Sequence, residues 1–343
     1  MVSLIEIKPE HTPIPGRPAR HRPILHMFLR RIVAGLLTLL VCSILVFLAC
    51  NILPGDVATA ALGKNATPER VATIRQELNL DRPVPLRYMD WLGGLVTGDL
   101  GKSSAAVVQG SDPSIGHQLG PALGNSLTLA GLTFILLVPL SVALGALAGT
   151  HAGKAADHVT SATSLLLGSL PEFVFGAVVT LVFFQWLDWL PPVSLLAPGE
   201  SALSHPDILA LPIITLLSVT VAGAARQIRT GVIEVTREDY VTLAQLNGLP
   251  RAKVLRRYVL RNAVAPSVQI TAQAVQYLIG GIIIVEGVFN YPGVGQYLLS
   301  AVGSRDIPVV QTVAVTLAGA FILINIAADM LVVLLVPAVR PTR

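Results

Sequence analysis

Six long apolar runs constrain this chain more than any other feature. They lie at about 28–53, 122–149, 159–187, 207–225, 267–289 and 308–336, and each approaches or exceeds the roughly 20 residues a helix needs to cross a hydrocarbon core of about 30 Å. Inside such a core the backbone has no water to bond, so the runs are expected to be helices rather than open strands. An outer-membrane barrel would show shorter, strictly alternating segments. Composition agrees: 13% of the residues are charged and 53% are apolar, against about 25% charged in an average soluble domain. A soluble enzyme and a disordered chain are both excluded. The expectation is an all-α polytopic membrane protein with six transmembrane helices.

The first run is longer than a secretory apolar region of roughly 7–15 residues and has comparable runs behind it, so it reads as a retained span. Orientation follows the distribution of Lys and Arg. With the N-terminus in the cytoplasm, the inside receives Lys8, Arg17, Arg20, Arg22, Arg30 and Arg31, then Lys154, eight residues of the fourth connection, and Arg340 and Arg343. The outside receives seven, six of them in one long loop beside seven carboxylates. Both termini are therefore expected on the cytoplasmic side of the membrane. The chain divides into a Pro-rich flexible leader, 1–26, and a membrane domain, 27–343. Within the latter lie an outer segment at about 54–121 and a cytoplasmic loop at about 226–266. In the outer segment Thr67 can cap a short helix opened by Pro68, with Val71, Ile74 and Leu78 on one face.

The cytoplasmic loop carries the most legible local structure. Thr236, Glu238 and Asp239 place a cap and acids where a helix start favours them. Tyr240, Leu243, Ala244 and Leu246 supply an apolar surface. Gly248 suits the left-handed residue that closes a helix, and Pro250 opens the next, a basic amphipathic helix reaching Arg261. A short helix with its own start and stop can serve as a rigid knob for a partner's groove.

Several stretches together resemble the permease subunits of ABC importers, in the dipeptide/oligopeptide/nickel permease family. Thr242-Leu243-Ala244 and Gly248 stand where that group has its cytoplasmic "EAA" loop signature. Asp239-Tyr-Val, Ala244, Asn247-Gly-Leu249 and Leu260-Arg-Asn-Ala-Val-Ala-Pro266 resemble the peptide version. Further stretches are Arg30-Arg31, Leu53-Pro-Gly-Asp56, Leu78-Asn-Leu-Asp-Arg-Pro83, Thr97-Gly-Asp-Leu-Gly101, Val285-Glu-Gly-Val-Phe289, Tyr291-Pro-Gly-Val-Gly295 and Arg305-Asp306 through Gln311. The resemblance implies a type I importer permease fold that works with a second homologous permease, two ATPase subunits and an extracytoplasmic substrate-binding protein. It also implies that Glu238, Asp239, Tyr240, Leu243, Ala244, Leu246 and Gly248 couple the pore to the ATPases through the 235–250 loop. ATP and Mg would be bound by those ATPases, with no cofactor in this chain. Rocking of the spans would use Pro139, Pro171 and Pro212 as discontinuities.

Other candidate chemistry is thin. Gly101-Lys102-Ser103 lacks the first glycine of a phosphate loop, Val96 standing there, so no ATPase site is expected. No catalytic constellation and no metal set emerges. The basic cluster from Arg251 to Arg261 reads as positive-inside anchoring to the lipid bilayer rather than nucleic-acid binding. Three acids fall in apolar runs. Glu172 is the pore-lining candidate, Glu286 is expected to reach interfacial water, and Asp329 to bond within the bundle. The alternative function is an autonomous proton-coupled carrier or channel with Glu172 and Asp329 on a proton path.

Overall fold

The computed structural model describes residues 21–52, 57–63, 66–197, 199–264 and 267–335. Most of the leader, the Pro54-Gly55-Asp56 stretch, Pro266 and the two C-terminal arginines lie outside them. The described residues are helical almost throughout, and their β pairing is confined to an isolated bridge between Lys102 and Ser114. The chain is therefore an all-α polytopic membrane protein.

Helix α1 is His21–Ile52, and α2 to α5 follow as Val57–Leu62, Pro68–Glu77, Val84–Thr97 and Ser104–Gln109. Then come α6 (Ile115–Thr150), α7 (Ala155–Ser169) and α8 (Glu172–Thr180), which runs on as a wider turn to Trp186. Helices α9 (Pro206–Thr236), α10 (Asp239–Leu246), α11 (Arg251–Val254) and α12 (Arg261–Val264) build the next connection. Helices α13 (Ser267–Phe289), α14 (Val294–Gly303) and α15 (Ile307–Leu335) complete the order. Stretches within α1, α6, α9 and α15 are each long and apolar enough to cross a membrane, and the bent pair α7–α8 makes a fifth such unit. Helix α13 coincides with the fifth apolar run of the sequence.

Four expectations change. The third run is not one helix: α7 and α8 meet at Leu170–Pro171 and diverge by 107°. Leu170 is extended (φ −86°, ψ 134°), as the residue before a proline prefers. Pro139 and Pro212 do not break their helices; α6 and α9 run through both. Helix α9 also continues to Thr236, so the fourth span and the start of the loop, residues 226–236, form one continuous helix. Finally, the segment between α1 and α6 holds four helices rather than one. Of these α3 starts as expected, with Thr67 accepting from the Arg70 amide and Pro68 in the first turn.

The core centres on α9. Leu209, Leu211, Leu216 and Val221 pack with Leu129 and Leu137 of α6, Val179 of α8, and Leu278, Ile282 and Val285 of α13. Close approach of α6 and α9 depends on two glycines one turn apart, a small-residue contact familiar between membrane helices. A Cβ at Gly145 would lie 2.7 Å from the Ala225 carbonyl oxygen, and one at Gly149 would lie 2.7 Å from Val232. Helix α1 packs on α15, where Gly35 meets Ile322 and Arg31 pairs with Asp329. At the opposite end of α1, Phe47 stacks edge-on to Tyr88 of α4 at 5.2 Å.

Candidate functional site

Helix α10 stands clear of the apolar stretches on a stem made by the end of α9. Its anchor is Val241, fully buried, with Ala244, 5% exposed. Both enter a cluster formed by Ile228 and Val232 of α9 with Val254, Val259 and Ala263. Val241 is the residue that sequence reading missed; with Ala244 it keeps helical i, i+3 spacing, which could have revealed it. Ala244 faces the same cluster, so of the apolar set only Tyr240, Leu243 and Leu246 point outward. They are 40%, 61% and 79% exposed, an apolar face that the described residues leave largely uncovered. The Tyr240 hydroxyl accepts from Asn262 Nδ2 at 3.0 Å, which sets one edge of that face.

The ends of α10 differ from expectation on one side. Thr236 is the last residue of α9, and its hydroxyl donates back to the Val232 carbonyl at 2.6 Å. The N-cap is Glu238, without a side-chain cap bond, followed by Asp239 in the first turn. At the other end Gly248 has φ +73°. Its amide reaches the Gln245 carbonyl at 3.0 Å and the Leu249 amide reaches that of Ala244 at 3.3 Å. A left-handed glycine with this bond pattern stops a helix within one residue. Beyond Pro250 the basic stretch winds through α11, a wider turn and α12, and packs Val254 and Val259 back under α10.

A second group of polar residues ties α9 to α7. Asp157, 4% exposed in its side chain, accepts from Arg229 Nε at 2.5 Å and Nη2 at 2.8 Å. It also accepts from the Gly153 amide at 2.9 Å and Ser161 Oγ at 3.2 Å. Every lone-pair direction of the carboxylate is used, so this buried charge is paired as such burial requires.

The acids in apolar runs are placed unequally. Glu172 begins α8 at the break of the bent pair, 9% exposed, with its carboxylate against Gly281 of α13. Asp329 pairs with Arg31, as a bonded position within the bundle requires. Glu286 does not reach interfacial water. It is fully buried and accepts from Ser126 Oγ at 2.5 Å and the Gly295 amide at 2.6 Å. Ser126 Oγ in turn accepts from the Val294 amide, and Asn125 donates to the Pro292 carbonyl. The carboxylate thus staples residues 291–295 onto α6, and its burial is tolerable because both oxygens meet donors there. Beside this staple lies a cavity of about 680 Å³ lined by Gln118, Asn125, Glu200, Gln296 and Ser300 among others.

The Gly101-Lys102-Ser103 stretch has a structural job. Ser103 caps α5 through the Ala106 amide and donates to Asp306, which is 3% exposed. Among the described residues no three His, Cys, Asp or Glu side chains are grouped to hold a metal ion.

A bundle of apolar helices with one broken span, carrying a short helix with an exposed apolar face, defines a multi-pass membrane protein. Comparison with known families is specific. The binding-protein-dependent transport system inner membrane component matches residues 141–341, and the N-terminal part described for the same membrane components matches 24–129. This chain belongs to that family of ABC importer permeases. Among its relatives are a probable peptide ABC transporter permease, y4tP, of Sinorhizobium fredii, 32% identical over 91% of this chain and 98% of that one. A glutathione transport system permease, GsiC, of Pectobacterium atrosepticum is 32% identical over 92% and 99% respectively. A putative peptide permease of Brucella suis is 32% identical over 93% and 100%.

Proposed function

We propose that this chain is the pore-forming permease subunit of an ATP-driven importer of di- or oligopeptides or a related small solute. The observation that carries the coupling is the outward face of α10, where Tyr240, Leu243 and Leu246 stand exposed on a stem anchored by Val241 and Ala244. The peptide and glutathione relatives support the substrate class. In this reading the membrane domain has six spans from residue 27 onward, with both termini and α10 in the cytoplasm. A second homologous permease completes the pore, and two ATPase subunits bind ATP and Mg and receive α10. A substrate-binding protein delivers the solute from the other side. This chain then hydrolyses no ATP. Glu238, Asp239 and Gly248 define the start and stop of the coupling helix, and Ala244 serves as its anchor. Glu172, at the break of the bent span, lines the path. The proton-carrier alternative loses one of its two relay groups, because Asp329 is paired with Arg31.

The test is Leu243→Asp. Burying a leucine against a partner stabilises by roughly 1.5–3 kcal/mol, and a buried unpaired carboxylate opposes contact further. The variant should insert normally, lose the co-purifying ATPases by at least about tenfold, as every 1.4 kcal/mol implies, and lose uptake. Normal uptake with ATPases still bound would remove α10 from the coupling role. Recovery of the wild-type chain alone from mild detergent would favour the autonomous carrier.

A further inference from the structure

We infer that the Asp157–Arg229 pair is the linkage that makes the cytoplasmic-side half of the broken span, α7, follow the coupling helix. The inference deepens the proposed function and rests on α10 being the element the ATPases move. Arg229 lies seven residues before the end of α9, about 10 Å along the helix at 1.5 Å per residue. Its neighbours Ile228 and Val232 hold α10 through Val241 and Ala244. Val232 also presses on Gly149 of α6, so this end of α6, α9 and α10 forms one packed unit.

Helix α7 packs against both α9 and α6, and its most specific tie to that unit is polar. Its first turn is pinned by the bidentate contact of Asp157 with Arg229, reinforced from Gly153 and Ser161. From Val159 onward a groove of about 470 Å³ opens beside it, with Val159, Thr163 and Leu167 on one wall and Leu217, Ser218 and Val221 of α9 on the other. The helix is thus tied by an ion pair at its start, and the groove lies along part of its length on the way to the 107° break at Leu170–Pro171. A rod pinned at one end, with a groove beside it and a hinge at the other end, moves as a lever. Displacement of α10 is carried by α9 to Arg229, by the ion pair to α7, and through the hinge to α8, whose first residue Glu172 rests on Gly281 of α13. Asp157 and Arg229 are positioning residues and touch no solute.

The experiment uses the full complex of this chain with its co-purifying permease and ATPase subunits, with Cys42 and Cys50 replaced by serine. Spin labels are placed in pairs at Ala162 with Gln245, and at Ala162 with Trp186, all exposed positions. Distances are read with and without ATP. In the wild type the Ala162–Gln245 distance should hold constant while Ala162–Trp186 shifts. In Asp157→Asn the first distribution should broaden and the ATP-driven shift of the second should be lost, with ATP hydrolysis and assembly retained. Arg229→Lys, which keeps one charged contact, should lie between and serves if the Asn variant does not assemble. A wild-type Ala162–Gln245 distance that changes with ATP overturns the linkage, as does a shift of Ala162–Trp186 undiminished in both variants. If ATP moves neither distance in the wild type, the coupling role of α10 falls with it; if only the variants behave like wild type, the linkage alone falls.

Discussion

Asp306→Asn is the perturbation whose size the structure defines most closely. The carboxylate accepts from Ser104 N at 3.1 Å and Ser104 Oγ at 2.9 Å on Oδ1, and from Ser103 Oγ at 2.5 Å and Ala105 N at 3.1 Å on Oδ2. The two amides begin α5 and have no carbonyl within their own helix, so Asp306 supplies the acceptor that a helix start lacks. Asparagine keeps one oxygen and presents an NH2 in place of the other. Whichever way the amide turns, one pair of donors then meets a donor. A hydrogen bond to a charged group is worth about 1.5–3 kcal/mol, and bonds in one network do not add fully. A loss of about 3 kcal/mol for two bonds is therefore the expected scale, or about a hundredfold in a local opening constant. Hydrogen exchange at the Ser104 and Ala105 amides reads that opening directly. Protection there should fall by about two decades, while amides in the middle of α9 keep theirs. Protection in the variant within about threefold of wild type would show that Asp306 is not what holds this segment, since 3 kcal/mol leaves no room for so small a change.

Two further outcomes are expected. Gly149→Val should destabilise the detergent-solubilised protein by about 1–3 kcal/mol, the usual cost of overpacking, because its Cβ would lie 2.7 Å from Val232 and 3.0 Å from the Arg229 carbonyl oxygen; a thermal melt as high as wild type would deny the close approach of α6 and α9. The Asp112 carboxyl is held below the usual carboxylate range by its hydrogen bond with His117 and then by the Ser114 amide. The folded value is thus lower than the unfolded one of about 4, so the contribution is complete above that pH and disappears as pH falls through the folded value. Exchange protection at 112–118 should weaken over that acid window in the wild type and show no such step in Asp112→Asn.

Much of this protein was legible in the order of its residues, for reasons that are local. Apolar runs near span length imply helices, because the bilayer forbids unpaired backbone. The α3 cap at Thr67 and the stop at Gly248 depend on residues within a few positions of each other, so their chemistry is visible in a short window. The proline at 171 marked the break, yet Pro139 and Pro212 looked equivalent in the chain and left their helices unbroken.

What the fold alone decided is which distant polar groups meet. Glu286 could be read as interfacial because hydropathy places a residue along the membrane normal but says nothing of what surrounds it. In the folded chain Ser126, 160 positions away, and the Gly295 amide make its burial possible. Asp306 and Ser103 are 203 positions apart, and Asp157 and Arg229 are 72 apart. A buried charge is tolerable only where donors converge on it, and convergence is a property of packed helices rather than of any one of them. The sequence by itself therefore determined the all-α membrane class and the local starts and stops of helices such as α3 and α10; tertiary structure determined the pins that hold these parts in one geometry.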